Sequence, residues 1–292
     1  MTLPTFVEVF PQIDVPADQS DPNYLHASVL QGTTVGSYNL GCLFGAIITI
    51  WLGDYLGRRK TIFVGSSIMI IGAILQCSAF GIGQLIAGRV ITGLGNGMNT
   101  STVPTWQSET SQAHKRGKMV MVEGAMITGG VAFSYWLDFG FYYTETTHGA
   151  LAWRFPLGFQ IFFAAFMVLF IMQLPESPRW LVLKGKDKEA LAVMAALRDV
   201  PEEDEVVQAE FKEVKEAVGI AKQFGFKDLF VMGKQRVVHR VALGYFNQVF
   251  QQICGRRSFC PTVKDPRTES TNRNQSYHVL CGNDLPTYWS FR

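Results

Sequence analysis

The chain has 292 residues, 48% of them hydrophobic and only 17% charged, with a formal net charge of +2. The charges are clustered: residues 118–142 contain only Lys118, Glu123 and Asp138, and residues 155–174 contain none. Uncharged runs of this length match the ~20 residues that cross a ~30 Å hydrocarbon layer, which excludes an ordinary soluble domain and gives no reason to expect a nucleic-acid partner.

In chain order, residues 1–31 carry Glu8, Asp14, Asp18 and Asp21 but no Lys or Arg. This stretch lacks the basic start and long apolar core of a cleavable signal peptide and reads as an extracellular N-terminal segment. Residues 32–174 hold five apolar segments, roughly 33–52, 62–82, 84–106, 118–141 and 155–174. They are continuous and rich in Leu, Ile, Met and Ala, so they predict helices rather than alternating membrane strands. Basic flanks (Arg58, Arg59 and Lys60; Lys115, Arg116 and Lys118) alternate with non-basic ones at each crossing. By the positive-inside rule the N-terminus then lies outside, and the Lys/Arg-rich segment after residue 174 is cytoplasmic.

Residues 175–236 read as a cytoplasmic linker with short amphipathic helices. Leu191, Met194 and Ala195 share one helical face, and Val207, Phe211, Val214 and Val218 share another. Asp199, Pro201, Glu202 and Glu203 supply start signals for the second helix. Residues 237–255 form a weaker apolar stretch interrupted by His239, Arg240, Asn247 and three glutamines. Residues 256–292 have no apolar run and read as a disordered tail.

Three groups of residues stand out. Asp54, Gly57, Arg58 and Arg59 crowd a tight turn between two spans, either as a charge cluster holding helix ends in one arrangement or as a plain positive-inside signal. Gly93 and Gly97, with Gly95 between them, repeat the spacing of Gly41 and Gly45; such pairs let helices approach closely, for sliding or for static packing. Arg89 lies inside a span, where ionisable groups are costly and either paired or snorkelling to the interface. The five cysteines show no framework or ligand spacing. The histidines are dispersed, and no nucleophile elbow or phosphate-binding loop occurs. Hence no enzyme, catalytic site, metal or cofactor is expected.

In order along the chain come Asp54-x-x-Gly57-Arg58-Arg59, Arg89-x-x-x-Gly93-x-Gly95-x-Gly97, Glu109 with Arg116-Gly117, and Pro175-Glu176-Ser177-Pro178-Arg179. Together these resemble the sugar porters of the major facilitator superfamily, and GNGMNTSTVPTWQSE, SYWLDFGF and WRFPLGFQ resemble the fungal hexose and disaccharide branch. The resemblance covers about residues 2–255. It implies an all-α membrane protein: a partial major facilitator superfamily bundle with about five full transmembrane helices, matching family helices 2–6, plus a partial sixth segment at 237–255 matching helix 7.

The family has twelve helices in two halves around a central sugar site. By the resemblance, Asp54, Arg58, Arg59, Arg89, Glu109, Arg116, Glu176 and Arg179 are gating residues of a cytoplasmic charge network. Gln248, Gln251 and Gln252 are substrate-binding candidates, amides suited to sugar hydroxyls. The expected partners are the lipid bilayer and a hexose or disaccharide, with transport proton-coupled or facilitative, in the plasma membrane. The pattern also departs from the family. Ile50 stands where a glycine is usual, Gly124 beside Glu123 replaces an expected glutamine, and Arg256-Arg257-Ser258 replaces the usual continuation of the seventh helix. The first family helix is expected to be missing. Two functions follow as expectations: an incomplete sugar transporter working by alternating access, or a non-transporting membrane fragment or sensor-like, regulatory derivative of one.

Overall fold

The computed structural model describes residues 4–15, 22–112, 115–142, 151–223, 239, 242–247 and 249–250. The described residues contain helices and no strand. Residues 1–219 and 220–292 form two separate units. In the second, residues 220–223, 242–247 and 249–250 are helical.

The first unit opens with a short helix α1 (Pro4–Val9) and a 3-10 turn (Pro11–Ile13). Long helices follow: α2 (Tyr24–Leu56), α3 (Arg58–Cys77), α4 (Ile82–Thr110), α5 (Arg116–Tyr142) and α6 (Leu151–Ile171). Of these, α2, α3, α5 and α6 are long and apolar enough to cross a membrane. The 33 residues of α2 extend back into the expected N-terminal segment and span about 50 Å, more than a hydrocarbon core.

The segment expected at 84–106 does form a helix, α4. Its buried positions are Gly88, Thr92, Gly93, Gly95, Gly97 and Thr102 beside Leu85 and Met98, so it packs more on protein than on lipid and is less apolar than its neighbours. Helix α4 lies parallel to α2 and antiparallel to α3. On the α2 side, a Cβ on Gly41, Gly45, Gly93 or Gly97 would overlap backbone atoms of Val90, Leu94, Tyr38 or Cys42 respectively. These four glycines therefore form one two-sided seam, held by backbone-to-backbone approach. Gly95 faces the other way, where a Cβ would lie 2.6 Å from Met69 N of α3. The α3–α4 seam is also hydrogen-bonded: Gln76 Nε2 donates to Thr92 Oγ1 at 2.6 Å and Gly88 O at 3.2 Å, and Asn99 Nδ2 donates to Ser66 Oγ at 3.1 Å. Buried amides need such partners.

At the end of the bundle away from residue 58, the N-terminal segment turns one apolar face inward. Phe6, Phe10 and Ile13 pack with Ala79, Leu85 and Trp153. Arg154 sits 4.9 Å from the Phe80 ring and 4.8 Å from the Trp153 ring.

After α6 come α7 (Pro178–Leu183), α8 (Asp187–Arg198) and α9 (Glu205–Gln223). The two apolar faces predicted for the 175–236 segment meet where Met194 and Ala195 pack against Val207, while Val218 of the second face packs on Leu181, Val182 and Ala190, which the prediction did not include. The ion pair Arg198–Glu210 closes this hairpin at 2.6 Å. One start signal is corrected. Asp199 adopts a left-handed φ of 57° and ends α8, while Asp204 Oδ1 accepts from Val206 N at 2.8 Å and starts α9. The substrate-binding candidates Gln248, Gln251 and Gln252, and the tail 256–292, lie outside the described residues.

Candidate functional site: a charged cluster at one end of the bundle

The turn between α2 and α3 is built on Gly57, whose φ of +92° favours glycine. Being the residue before α3, Gly57 offers no side chain to the free N–H groups of that helix. Glu176 supplies the acceptor from more than a hundred residues away. Its Oε1 accepts from Arg58 N at 3.0 Å, Arg59 N at 3.3 Å and its neighbour Ser177 N at 3.0 Å. A carboxylate at this position is favoured by the helix dipole as well as by the hydrogen bonds. A Cβ on Gly57 would stand 2.8 Å from Glu176 Oε2. Gly57→Ala is therefore expected to cost about 1–3 kcal/mol through strain and crowding together, read as a lowered unfolding midpoint in detergent; an unchanged midpoint would contradict this geometry.

The side chain of Arg58 turns to α4. Its Nε and Nη2 donate to the two oxygens of Glu109 at 3.1 and 3.2 Å, a forked pair with side-chain exposures of 16% and 8%. Nη1 reaches Gly53 O at 3.0 Å and Asp54 Oδ1 at 3.3 Å. Asp54 is 67% exposed, so its share is screened and small, about 0–1 kcal/mol. The Glu109 pair is shielded and bidentate, the strong form of such contacts.

Ser177 completes the cluster. Its Oγ donates to Glu109 Oε2 at 2.7 Å and accepts from Trp180 N at 3.3 Å, capping α7. Trp180 Nε1 donates to Asp54 O at 3.1 Å, tying α7 back to α2. One connected set thus joins the ends of α2, α3, α4 and α7.

The expected residues divide as follows. Asp54, Arg58, Glu109 and Glu176 are brought together. Arg59 adds a backbone link through Glu176 and donates from Nη2 to Met172 O at the end of α6. Arg116 reaches the end of α4, Nε to Ser108 O at 3.0 Å. Arg179 lines an adjacent cleft with Glu109 and Arg116. Arg89 is not at this end: it lies 20 residues along α4 from Glu109, about 30 Å of helix. The sequence reading missed Ser177 and Trp180 as members of the cluster. The signal for Ser177 was present, a serine directly before a proline at the first position of a helix.

The comparisons with known proteins agree with this architecture. The pattern of the family described as "Sugar (and other) transporter" matches residues 5–260. The chain is 38% identical over 256 residues to the Major facilitator superfamily transporter mfsA of Aspergillus fumigatus, covering 86% of this chain and 47% of that protein. It is 41% identical over 236 residues to the Sugar transporter STL1 of Saccharomyces cerevisiae, covering 79% and 41%. The chain therefore spans less than half the length of these curated relatives. Its fold resembles the proton:xylose symporter XylE with a TM-score of 0.67 at 21% identity, over 77% of this chain and 50% of that one. With helix order, glycine seam and charged helix ends all in place, the chain belongs to the sugar (and other) transporter family and carries part of the major facilitator superfamily fold.

Proposed function

We propose that this chain is part of a sugar transporter of the plasma membrane that works by alternating access, with a hexose or disaccharide as substrate. The observation that carries the reading is the buried Arg58–Glu109 fork, tied through Ser177 and Glu176 to α3 and α7. Such a cluster holds helix ends in one arrangement and lets go as a unit, which suits a latch between two states of a moving bundle. On this reading Asp54, Arg58, Arg59, Glu109, Arg116, Glu176 and Arg179 act on the cytoplasmic side, and the helices α7–α9 lie in the cytosol. Gln248, Gln251 and Gln252 are proposed to meet the sugar. Fungal sugar carriers among the relatives, including the Galactose transporter of Saccharomyces cerevisiae at 34% identity, support this substrate class. The resemblance to a proton:xylose symporter supports proton coupling as an extension of the same reading.

The test is labelled-sugar uptake in a yeast strain lacking its own carriers. A site shared between two halves needs both. The chain alone is thus expected to give no saturable uptake, and a chimera that adds from STL1 both the expected missing first helix and the second half is expected to restore it. A chimera that reaches the membrane yet moves no labelled sugar would overturn the transporter reading in favour of a non-transporting derivative. Saturable uptake by the chain alone would overturn the assignment as one part of a two-half site.

A further inference from the structure

The first turn of α6 is weakly held by its own helix. Pro156 lies inside α6, so the carbonyl of residue 152 loses its helical N–H donor and the proline ring crowds the turn before it. Other parts of the chain hold that turn instead. The Trp153 indole is 5% exposed. Phe6 and Phe10 meet it edge-on, at 5.4 and 5.7 Å between ring centroids, the geometry in which aromatic pairs attract. The Arg154 guanidinium lies between the same indole and the Phe80 ring, and its Nη2 donates to Ala79 O at 3.4 Å. Cys77 Sγ, at the end of α3, donates to Arg154 O at 3.7 Å. On the other side, Phe155 stacks on Phe141 of α5 at 4.3 Å.

The N-terminal segment that covers Trp153 is itself lightly anchored. Its backbone bonds from Phe10 N to Phe6 O at 3.0 Å and from Ile13 N to Phe10 O at 3.1 Å close within the segment. Phe6, Phe10 and Ile13 carry its packing onto Ala79, Leu85 and Trp153, while Glu8, Pro11, Gln12 and Asp14 stay exposed. A short segment packed through a few side chains opens at lower free energy than a seam held along whole helices, such as that of α2 and α4. The ladder Phe80–Arg154–Trp153–Phe10 joins two weak elements, and each supports the other.

We propose that the first turn of α6 is a flap hinged at Pro156 and held shut by the N-terminal segment, whose Phe6 and Phe10 clasp Trp153. When the clasp lifts, Trp153 and Arg154 leave Phe80 and Cys77, and Phe155 keeps the turn on α5. The device opens this end of the bundle without parting α4 from α2 or α3, and it does not depend on what the protein transports.

The test is peptide-resolved hydrogen exchange of the full chain in detergent, with the rate of Cys77 alkylation by N-ethylmaleimide read by mass spectrometry. Phe10→Ala is expected to speed exchange over residues 153–160 and alkylation of Cys77 by about tenfold or more, with residues 88–102 of α4 exchanging as in wild type. Phe10→Leu, a milder change that keeps the fold, is expected to raise both about threefold. Coupling between the two elements is reciprocal, so Arg154→Gln is expected to speed exchange over residues 4–13. Pro156→Ala restores the missing helical donor and is expected to slow the start of α6 again in the Phe10→Leu background. Unchanged exchange at 153–160 in both Phe10 variants would overturn the clasp. Equal acceleration along α4 would show that the segment belongs to the core and that no separate flap exists. No slowing by Pro156→Ala would overturn the hinge.

Discussion

Glu109→Ala is expected to destabilise the chain by about 3–5 kcal/mol, the range for removing one partner of a buried ion pair. The loss is not one contact. Glu109 holds both forks of Arg58 and the hydroxyl of Ser177, and Arg58 is only 16% exposed, so truncation strands a nearly dry guanidinium. The remaining acceptors, Gly53 O and Asp54, reach only Nη1. Denaturant titration in mixed micelles reads the effect. Glu109→Gln, which keeps an acceptor for Ser177 but no charge for Arg58, should fall between wild type and alanine. In a double-mutant cycle, Arg58→Ala with Glu109→Ala should cost clearly less than the sum of the single changes. A Glu109→Ala midpoint indistinguishable from wild type would show that the fork contributes nothing to holding these helix ends.

The second large effect is a difference of sign between two identical substitutions. Gly97→Ala is expected to cost about 2–3 kcal/mol, because its new Cβ would overlap the backbone of Cys42. Backbone cannot rotate away as a side chain can, so α2 and α4 would have to separate. Gly124→Ala, in α5, meets nothing within 4 Å. There the added methyl should stabilise the helix by up to about 1 kcal/mol, since glycine is the weaker helix former. Unfolding midpoints of the two variants in the same detergent decide the matter. Equal shifts would mean that the α2–α4 seam is not a tight backbone contact in solution.

These two substitutions also show how legible the protein was. The spacing of Gly41, Gly45, Gly93 and Gly97 marks a close-packing face, and the structure places all four in one seam. Gly95 carries the same chemistry in the same motif, yet it packs on α3 rather than α2. Two residues in a helix are turned by about 200°, so neighbours in a motif serve different partners. Arg89 was grouped with the charged helix ends because of its motif, but its place on α4 sets it about 30 Å from Glu109. The Ser177 cap was written in its Ser-Pro pair and overlooked; Trp180 joining Asp54 O had no local signal at all.

By itself the sequence determined what depends on local composition and period. Long uncharged runs lie in lipid as helices, because only helices and closed barrels satisfy the backbone there and barrel strands would be short and alternating. Lys and Arg at alternating ends set the expected orientation, and apolar residues at helical spacing between 187 and 223 fix the faces that pair in the hairpin. Only the tertiary structure decided which ends meet. A carboxylate at 176 caps a helix that starts at 58, and another at 109 neutralises the first arginine of that helix. Helix–helix approach is set by side chains far apart in the chain, and no local pattern records which distant acceptor a free N–H group will find.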